Sequence, residues 1–365
     1  MEMTNQIQTP FYIYGAGIVA SSIYTAWKYL YNVFPESFLV STMEENNPEE
    51  IDGIPVKLFK ELNHKEREFL YVVAAPEVHH PAIVKMLKNH GIIDRQIFLI
   101  DNIKENAIME EYYSRRNDFL TVRDILSSDR NNHANNVDIQ VYQARCHVDK
   151  ALRVLQDFPE YIYPVQVGTV LTDQRIAVLS DSSGDNISEK NRNYCELTAT
   201  YWAWKNRNIP YKGLCHYRRI FDLSSKQLQN IFTENHKVDA ILPYPTFYYP
   251  GMEIEHLRYI KHDDWKAMLQ ALEAVAPDYY EAYKTIAGEP YFYNYNMLIA
   301  KQEVFNDYSN FLFSVLKETE KWLLVKETER ADRFAGYLAE NLTTIYFRAN
   351  KGRYKIAHTG KVLLT

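Results

Sequence analysis

Along the first hundred residues, short apolar runs typical of strands alternate with segments whose apolar residues recur at helical spacing. Phe11 to Tyr14 is a short apolar run typical of a buried strand, and Ile18 to Leu30 repeats its apolar side chains at helical spacing. Further strands are predicted over 38–41, 71–74 and 96–100, and a helix over 80–89. Such alternation predicts parallel strands joined by crossover helices. We therefore predict an α/β chain whose residues 1–126 form a Rossmann-like parallel sheet module with a helical extension.

The pattern changes over 127–138, where SSDRNNHANNVD contains almost no apolar side chain and predicts a linker. From 139 to 365, apolar runs of strand length alternate with helical patterns, which predicts a mixed α/β domain. Its strands are predicted over 139–142, 177–179, 213–217, 240–242 and 296–300, and its helices over 193–206, 264–275, 302–316 and 330–347. Polar clusters follow several of these strands, which is where ligands bind open sheets.

Length, net charge and cysteine spacing limit the kinds of protein that this chain can be. At 365 residues the chain exceeds one ordinary hydrophobic core, which agrees with two domains. The formal net charge of -6 argues against broad binding to nucleic acid, which needs a basic surface. The three cysteines show no metal-type spacing and fit a reducing compartment. The sequence shows neither a signal peptide near Met1 nor a run of about 20 apolar residues, so we expect a cytoplasmic protein.

Gly15 and Gly17 lie in a turn that follows a strand and opens a helix, as in a dinucleotide-binding fingerprint. Glycines there allow the backbone to approach a pyrophosphate at the helix N-terminus. The acidic residue expected after the second strand, Glu44 or Glu45, is only loosely placed. A structural or assembly role for this module is therefore favoured, and binding of NAD or another dinucleotide at Gly15 and Gly17 stays open.

The densest polar chemistry lies between residues 180 and 221. Asp185, Asn186, Ser188 and Asn191 precede a predicted helix. Such residues cap helices, but this loop supplies more polar groups than one cap uses, and free helix amides also attract phosphate.

The predicted strand over 213–217 runs into His216, Tyr217, Arg218 and Arg219. Guanidinium groups bind phosphate oxygens through a planar fork and stay charged at working pH. Two neighbouring arginines beside aromatic rings therefore predict a diphosphate site, with the rings available to cover a sugar or base.

Three further clusters could contact a substrate. Asn294 and Asn296 lie among tyrosines, and amides suit sugar hydroxyls. Arg333 and Glu340 share one face of a predicted helix, where a surface ion pair explains them equally well. His262 and Asp264 form either an acid-base or metal group or an ordinary helix start.

Taken together, these motifs resemble the bacterial family catalogued as domain of unknown function 4422, found in glycosyltransferases of capsule, exopolysaccharide and O-antigen clusters. The resemblance runs from about residue 139 to the C-terminus, and its matching stretches are 164–168, 185–188, 191, 195–198, 201–206, 213–219, 294–296 and 336–340. Two positions depart from the family pattern. His147 and Lys150 are separated where the family has them adjacent, and Asn341 replaces an arginine.

The resemblance implies a GT-A-like fold and a glycosyltransferase that uses a nucleotide-sugar donor. It implies a UDP-linked donor, with galactose in pyranose or furanose form as one candidate sugar. The acceptor would be a lipid-linked glycan or an oligosaccharide in bacterial surface polysaccharide synthesis. Peripheral association with the inner face of the cytoplasmic membrane, or with polysaccharide-assembly proteins, stays open.

In GT-A enzymes a divalent metal on an Asp-x-Asp sequence usually stabilises the leaving diphosphate. The strand end aligned with that sequence here carries His216, Tyr217 and Arg218. Our hypothesis is that Arg218 and Arg219 replace the metal, with His216 as a further donor, so that no cofactor is required. The rival is Mg²⁺ or Mn²⁺ held by Asp181 and Asp185.

Glu340 and Asp264 are the candidate bases. The expected substrate contacts are Asp185, Asn186, Ser188, Asn191, Tyr217, His262, Asn294, Asn296 and Arg333. Two other functions remain open. A non-catalytic carbohydrate-binding or assembly protein would keep the aromatic and amide residues, and an NAD-dependent enzyme acting on sugar nucleotides would depend on Gly15 and Gly17.

Overall fold

The computed structural model describes residues 9–44, 47–62, 69–128, 137–152, 158–232 and 237–364. The chain forms two compact units. The first comprises Met1–Arg115, Thr246–Glu255 and Glu289–Tyr291, and the second Arg116–Pro245, His256–Gly288 and Phe292–Thr365. Most of the predicted linker over 127–138 lies outside the described residues.

The strands are, in chain order, β1 (Phe11–Tyr14), β2 (Phe38–Val40), β3 (Glu50–Ile51), β4 (Ile54–Leu58), β5 (Leu70–Val73), β6 (Ile97–Leu99), β7 (Leu120–Thr121), β8 (Ile139–Arg145), β9 (Ile162–Gln166), β10 (Leu179–Ser180), β11 (Tyr211–His216), β12 (Arg219–Phe221), β13 (Ala240–Pro243), β14 (Thr246–Phe247), β15 (Tyr291–Phe292), β16 (Leu298–Lys301), β17 (Ile356–Thr359) and β18 (Lys361–Leu363). The α-helices are α1 (Ile18–Tyr31), α2 (His80–Asn89), α3 (Asn102–Ser114), α4 (Val122–Ser128), α5 (Asn191–Tyr194), α6 (Leu197–Asn206), α7 (Ser225–Ile231), α8 (Met252–Glu255), α9 (His262–Val275), α10 (Pro277–Ile286), α11 (Gln302–Trp322) and α12 (Phe334–Ala349).

The first unit contains a six-stranded sheet in the order β3-β4-β2-β1-β5-β6. Its pairs are parallel except β3 with β4. The predicted parallel-sheet module is therefore confirmed.

Gly15, in the turn after β1, has a φ of 132°, and a Cβ there would overlap the carbonyl oxygen of Ala74. The turn packs closely against Ala74 at the end of β5, which leaves room only for glycine at position 15. A Cβ placed on Gly17 would have no atom of a described residue within 4 Å. Dinucleotide binding at the two glycines stays a prediction.

The second unit contains a mixed sheet in the order β10-β9-β8-β11-β16-β13-β17-β7, with β12 pairing with both β11 and β18. β8 is parallel to both β9 and β11, whereas β16 is antiparallel to β11. Because parallel strands end at the same edge, the loops after β8, β9 and β11 meet there. This edge holds the candidate site described below.

The predicted boundary at residue 126 differs from the structure. β7 pairs with β17, and Val122 and Ile125 of α4 are buried in the core of the second unit. A two-residue strand and a short helix carry too weak a pattern to be assigned to a sheet that the rest of the chain completes.

Two predicted helices also differ from the structure. The helix predicted over 193–206 is divided into α5 and α6 at Cys195, whose φ of 49° is incompatible with a helix. The last helix begins at Phe334 rather than at 330, because Arg333 has a φ of 63°. No helix in the described ranges has the length and apolar character needed to cross a membrane.

Candidate functional site

A cavity of about 650 Å³ lies at the edge where β8, β9 and β11 end. Loops after these three strands, the start of α5 and α6, and the residue before α12 contribute its walls. Its lining residues are Ala144, Cys146, His147, Val148, Asp149, Lys150, Val167, Gly168, Leu171, Asn191, Arg192, Cys195, Glu196, His216, Tyr217, Arg218 and Arg333. Of the residues predicted from the sequence, the cavity brings together Asn191, His216, Tyr217, Arg218 and Arg333.

Arg218 lies in the two-residue turn between β11 and β12, and its carbonyl accepts a hydrogen bond from the Leu364 amide at 2.8 Å. Its buried Nε has no hydrogen-bond partner, and its guanidinium forms no ion pair with any described residue. Burial and the neighbouring Arg219 lower the pKa of Arg218. A half-buried cation without a counterion is unfavourable unless an anion completes it. Arg218 is therefore a candidate anion ligand.

Arg333 is the second arginine of the cavity. Its Nε donates to the Cys195 sulfur at 3.2 Å, and a terminal nitrogen lies 3.9 Å from Glu196 Oε2. Burial disfavours its charge, but Cys195 and Glu196 outweigh burial and raise its pKa. Arg218 and Arg333 thus place two guanidinium groups around one cavity.

Of the predicted pair of Arg218 and Arg219, only Arg218 lines the cavity, and a joint role of the two stays a prediction. β11 ends at His216, and Arg219 begins β12 beyond the turn. The Arg219 guanidinium lies 4.0 Å from the centre of the Tyr295 ring and is not among the cavity-lining residues. Arg219 nevertheless contributes positive charge near His216.

His216 is buried at the end of β11. Burial, followed by Arg219, Arg218 and Arg333, lowers the pKa of its imidazole to about 2, so the ring is neutral. Its Nδ1 accepts the Arg218 backbone N–H at 3.4 Å. With Nδ1 as the acceptor, the neutral ring carries its proton on Nε2. Its role as a donor to a diphosphate stays a prediction.

Hydrogen bonds within the chain hold the loop over 181–188. Asp181 is fully buried and accepts hydrogen bonds from the amides of Gly168 and Thr169 at 2.8 and 3.2 Å and from the Ser188 hydroxyl at 2.6 Å. Asn186 donates to the carbonyls of Ser182 and Gly184. Asn186 and Ser188 thus make hydrogen bonds within the chain and do not line the cavity, and their substrate contacts stay predictions.

Asp185 is exposed and accepts a hydrogen bond from the Tyr201 hydroxyl at 3.1 Å. It does not line the cavity. The two Asp181 oxygens already accept three hydrogen bonds, and a divalent cation held by Asp181 and Asp185 stays a prediction. Within the described ranges, no three His, Cys, Asp or Glu side chains are placed to hold a metal ion.

Asn191 connects the cavity to α6. Its amide nitrogen donates to the Cys195 carbonyl at 2.7 Å and to the Thr198 hydroxyl at 3.1 Å. A Cβ on Gly168, whose φ is 64°, would lie 2.6 Å from Asn191 Oδ1. Glycine is therefore required for the loop after β9 to pack against Asn191.

Asn296 and Glu340 lie behind the cavity rather than in its wall. Asn296 Nδ2 donates to Glu196 Oε1 at 2.8 Å and to the Gly336 carbonyl at 3.0 Å. Glu340 Oε1 accepts the Tyr295 amide at 2.8 Å. Burial, and next the charge of Glu196, raises the pKa of Glu340 to about 7. Asn294 is also buried and is not a lining residue.

Asp264 and His262 lie away from the cavity at the start of α9. Asp264 accepts two hydrogen bonds from the Arg330 guanidinium, at 2.7 and 2.6 Å, and both side chains are almost fully buried. His262 is exposed and stacks against His256 at 6.0 Å. Asp264 is thus already paired with Arg330, and neither Asp264 nor His262 lines the cavity. Their roles as a base and as a substrate contact stay predictions.

Residues 146–351 match the family model described as Domain of unknown function (DUF4422), and the match covers more than half of the chain. The chain belongs to this family. The predicted resemblance is thus confirmed, and the DUF4422 region contains most of the cavity wall. No curated protein matches the chain.

Among solved structures, the apo structure of WbbM, a bifunctional glycosyltransferase, is 26% identical with a TM-score of 0.53. The alignment covers 62% of this chain and 45% of WbbM, so the chain spans less than half of that protein's length. This similarity confirms the predicted GT-A-like fold of the second unit. Apo mouse xyloside xylosyltransferase 1 aligns at 11% identity and a TM-score of 0.29 over 61% of this chain and 85% of that one, which is too weak to carry an argument.

Sequence reasoning missed Asp149 and Glu196, the two carboxylates in the cavity wall. Asp149 Oδ2 accepts the Cys146 amide at 2.7 Å, and Oδ1 accepts no hydrogen bond from any described residue. Burial raises the pKa of Asp149 to about 6, against the opposing effects of the Cys146 amide, Arg145 and Arg218. The departure from the family pattern between His147 and Lys150 marked this loop but did not identify Asp149.

Replacing Asp149 with asparagine should remove a pH dependence of anion binding in the cavity. Above pH about 6 Asp149 is ionised, and its negative charge opposes the attraction of Arg218 and Arg333 for an anion. The affinity of the unmodified protein for a diphosphate diester should therefore fall roughly three- to tenfold between pH 5 and 8. Calorimetry across this range should show the fall, whereas Asp149→Asn should bind with nearly constant affinity.

The control is Glu189→Gln, which removes an exposed carboxylate outside the cavity. This variant should keep the pH dependence of the unmodified protein. An Asp149→Asn protein whose affinity still falls with rising pH would show that another group is responsible.

Proposed function

We propose that this chain is a glycosyltransferase that binds a nucleotide-sugar donor in the 650 Å³ cavity. The observation that carries the proposal is the unpaired Arg218 guanidinium at the carboxyl edge of a GT-A-like sheet. A diphosphate is the anion common to most nucleotide sugars, and a guanidinium binds its oxygens through two parallel hydrogen bonds. Arg333 supplies the second positive charge.

Transfer requires stabilisation of the leaving nucleoside diphosphate. We propose that Arg218, Arg333 and the Nε2–H of His216 provide it, since fixed charges and donors act where charge develops in the transition state. On this proposal Arg333 takes the role that the sequence hypothesis gave to Arg219, and a divalent metal is not required.

The finer details of the proposal come from the family resemblance. We propose a UDP-linked donor, with galactose in pyranose or furanose form as the first sugar to examine. The acceptor would be a lipid-linked glycan or an oligosaccharide of a bacterial surface polysaccharide, met at the inner face of the cytoplasmic membrane.

Thermal-shift screening against UDP, GDP, CMP and TDP sugars tests donor binding directly. A ligand at a hundred times its dissociation constant adds about 2.7 kcal/mol to the free energy of unfolding. We expect one nucleotide class to raise the melting temperature and then to yield free nucleoside diphosphate and a glycoside in equal amounts when acceptor is added.

Two outcomes would contradict this function. Binding of sugars without turnover of any donor would indicate a carbohydrate-binding or assembly protein. A change in nicotinamide absorbance on addition of a sugar nucleotide would instead indicate oxidation or reduction of the sugar by NAD bound at Gly15 and Gly17.

A further inference from the structure

Backbone strain is concentrated around one side chain of the cavity wall. Cys195, Asn296 and Arg333 have φ values of 49°, 50° and 63°, and Tyr295 has a φ of 75°. These residues come from three separate segments of the DUF4422 region. Residues other than glycine seldom adopt positive φ, and where they do, the surrounding structure maintains them, often at functional sites.

The strained residues surround the carboxylate of Glu196. Cys195 directly precedes it, Asn296 Nδ2 donates to its Oε1 at 2.8 Å, and an Arg333 nitrogen lies 3.9 Å from its Oε2. Glu196 lines the cavity and is only 7% exposed. One oxygen is thus fixed, and Oε2 accepts no hydrogen bond from any described residue.

This arrangement differs from the structural ion pair elsewhere in the same unit. Arg330 and Asp264 form two hydrogen bonds of 2.7 and 2.6 Å. At 3.9 Å, Arg333 is too far from Glu196 Oε2 for a hydrogen bond. The carboxylate is therefore oriented by its neighbours while one oxygen remains available to a ligand in the cavity.

We propose that Glu196 accepts the proton of the acceptor hydroxyl during glycosyl transfer, an inference that rests on the proposed function. The hydroxyl oxygen forms a bond to the anomeric carbon and loses its proton to Glu196 Oε2. The bond between the anomeric carbon and the diphosphate oxygen breaks, and its electron pair leaves with the nucleoside diphosphate at Arg218. Attack opposite the leaving group inverts the configuration of the anomeric carbon.

The test measures how Glu196→Gln affects transfer to two different nucleophiles. A hydroxyl acceptor needs a base, whereas azide is already an anion and needs none. We expect transfer to the hydroxyl acceptor to fall about 10²- to 10⁴-fold, which is the usual contribution of general base catalysis. Formation of glycosyl azide and the affinity for the donor should stay within about threefold of the unmodified protein, since glutamine keeps the contact to Asn296.

Glu189→Gln is the matched control, because it removes an exposed carboxylate from the turn before α5. It should transfer to both nucleophiles like the unmodified protein. NMR of the hydroxyl product should show an inverted anomeric centre.

Three results would overturn the assignment. Glu196→Gln could transfer normally to the hydroxyl acceptor, it could lose both reactions equally, which indicates a structural role, or the product could retain its anomeric configuration. If the unmodified protein transfers no sugar from any donor, the proposed function fails and the role of Glu196 fails with it.

Discussion

Replacing Arg218 with lysine should weaken binding of the nucleotide-sugar donor by about ten- to a hundredfold. Lysine keeps the positive charge but removes the planar fork that matches two phosphate oxygens. Arg218 Nε makes no hydrogen bond with a described residue, and the guanidinium lies 5.8 Å from the centre of the Tyr217 ring, which a lysine ammonium can also approach. Calorimetry should therefore show the loss of affinity, with the melting temperature nearly unchanged.

Arg219→Lys is the matched control. Arg219 lies against Tyr295 outside the cavity wall, so this neighbouring substitution should leave donor affinity within about threefold. Equal losses in the two variants would restore the arginine pair predicted from the sequence. Normal donor binding by Arg218→Lys would remove Arg218 from the site altogether.

Replacing Gly213 with alanine should lower the free energy of unfolding by about 3 kcal/mol, since overpacking between central strands has no room to relax. Gly213 lies in β11, opposite Ile299 of β16. A Cβ there would lie 2.9 Å from the Ile299 Cα and would overlap the Leu298 carbonyl oxygen. The strands would have to separate, and β11 also positions His216 and Arg218. Denaturant titration should show the loss of stability.

Gly352→Ala provides the comparison, because no atom in the described part of the chain lies within 4 Å of a Cβ at that position. This change should alter the free energy of unfolding by no more than about 0.5 kcal/mol. Similar stabilities for Gly213→Ala and Gly352→Ala would contradict the close approach of β11 and β16.

The strands and helices with regular patterns could be predicted from sequence, and those with conflicting signals could not. Helix α2 has the predicted bounds, and β1 agrees with its apolar run. β9 was missed because Pro164 interrupts its pattern, although it pairs with β8. The break at Cys195 carries no glycine or proline signal. The inclusion of Thr246–Glu255 in the first unit depends on contacts distant in sequence.

The chemistry of the site was predictable where one strand end carries it. His216, Tyr217 and Arg218 lie together because β11 ends at the cavity wall. Asp264 shows the opposite case, since its partner Arg330 is distant in sequence and only the fold brings them together. Glu196 was seen as part of a motif, but its role depends on the positions of Asn296 and Arg333 in space.

Turnover of a nucleotide sugar in excess EDTA, with and without added manganese, tests whether the leaving diphosphate is stabilised without a metal. We predict that the unmodified protein forms glycoside and nucleoside diphosphate at the same rate in both conditions, and that Arg218→Lys is slower in both. Activity abolished by EDTA and restored by manganese would contradict the proposal that arginines stabilise the leaving diphosphate without a metal.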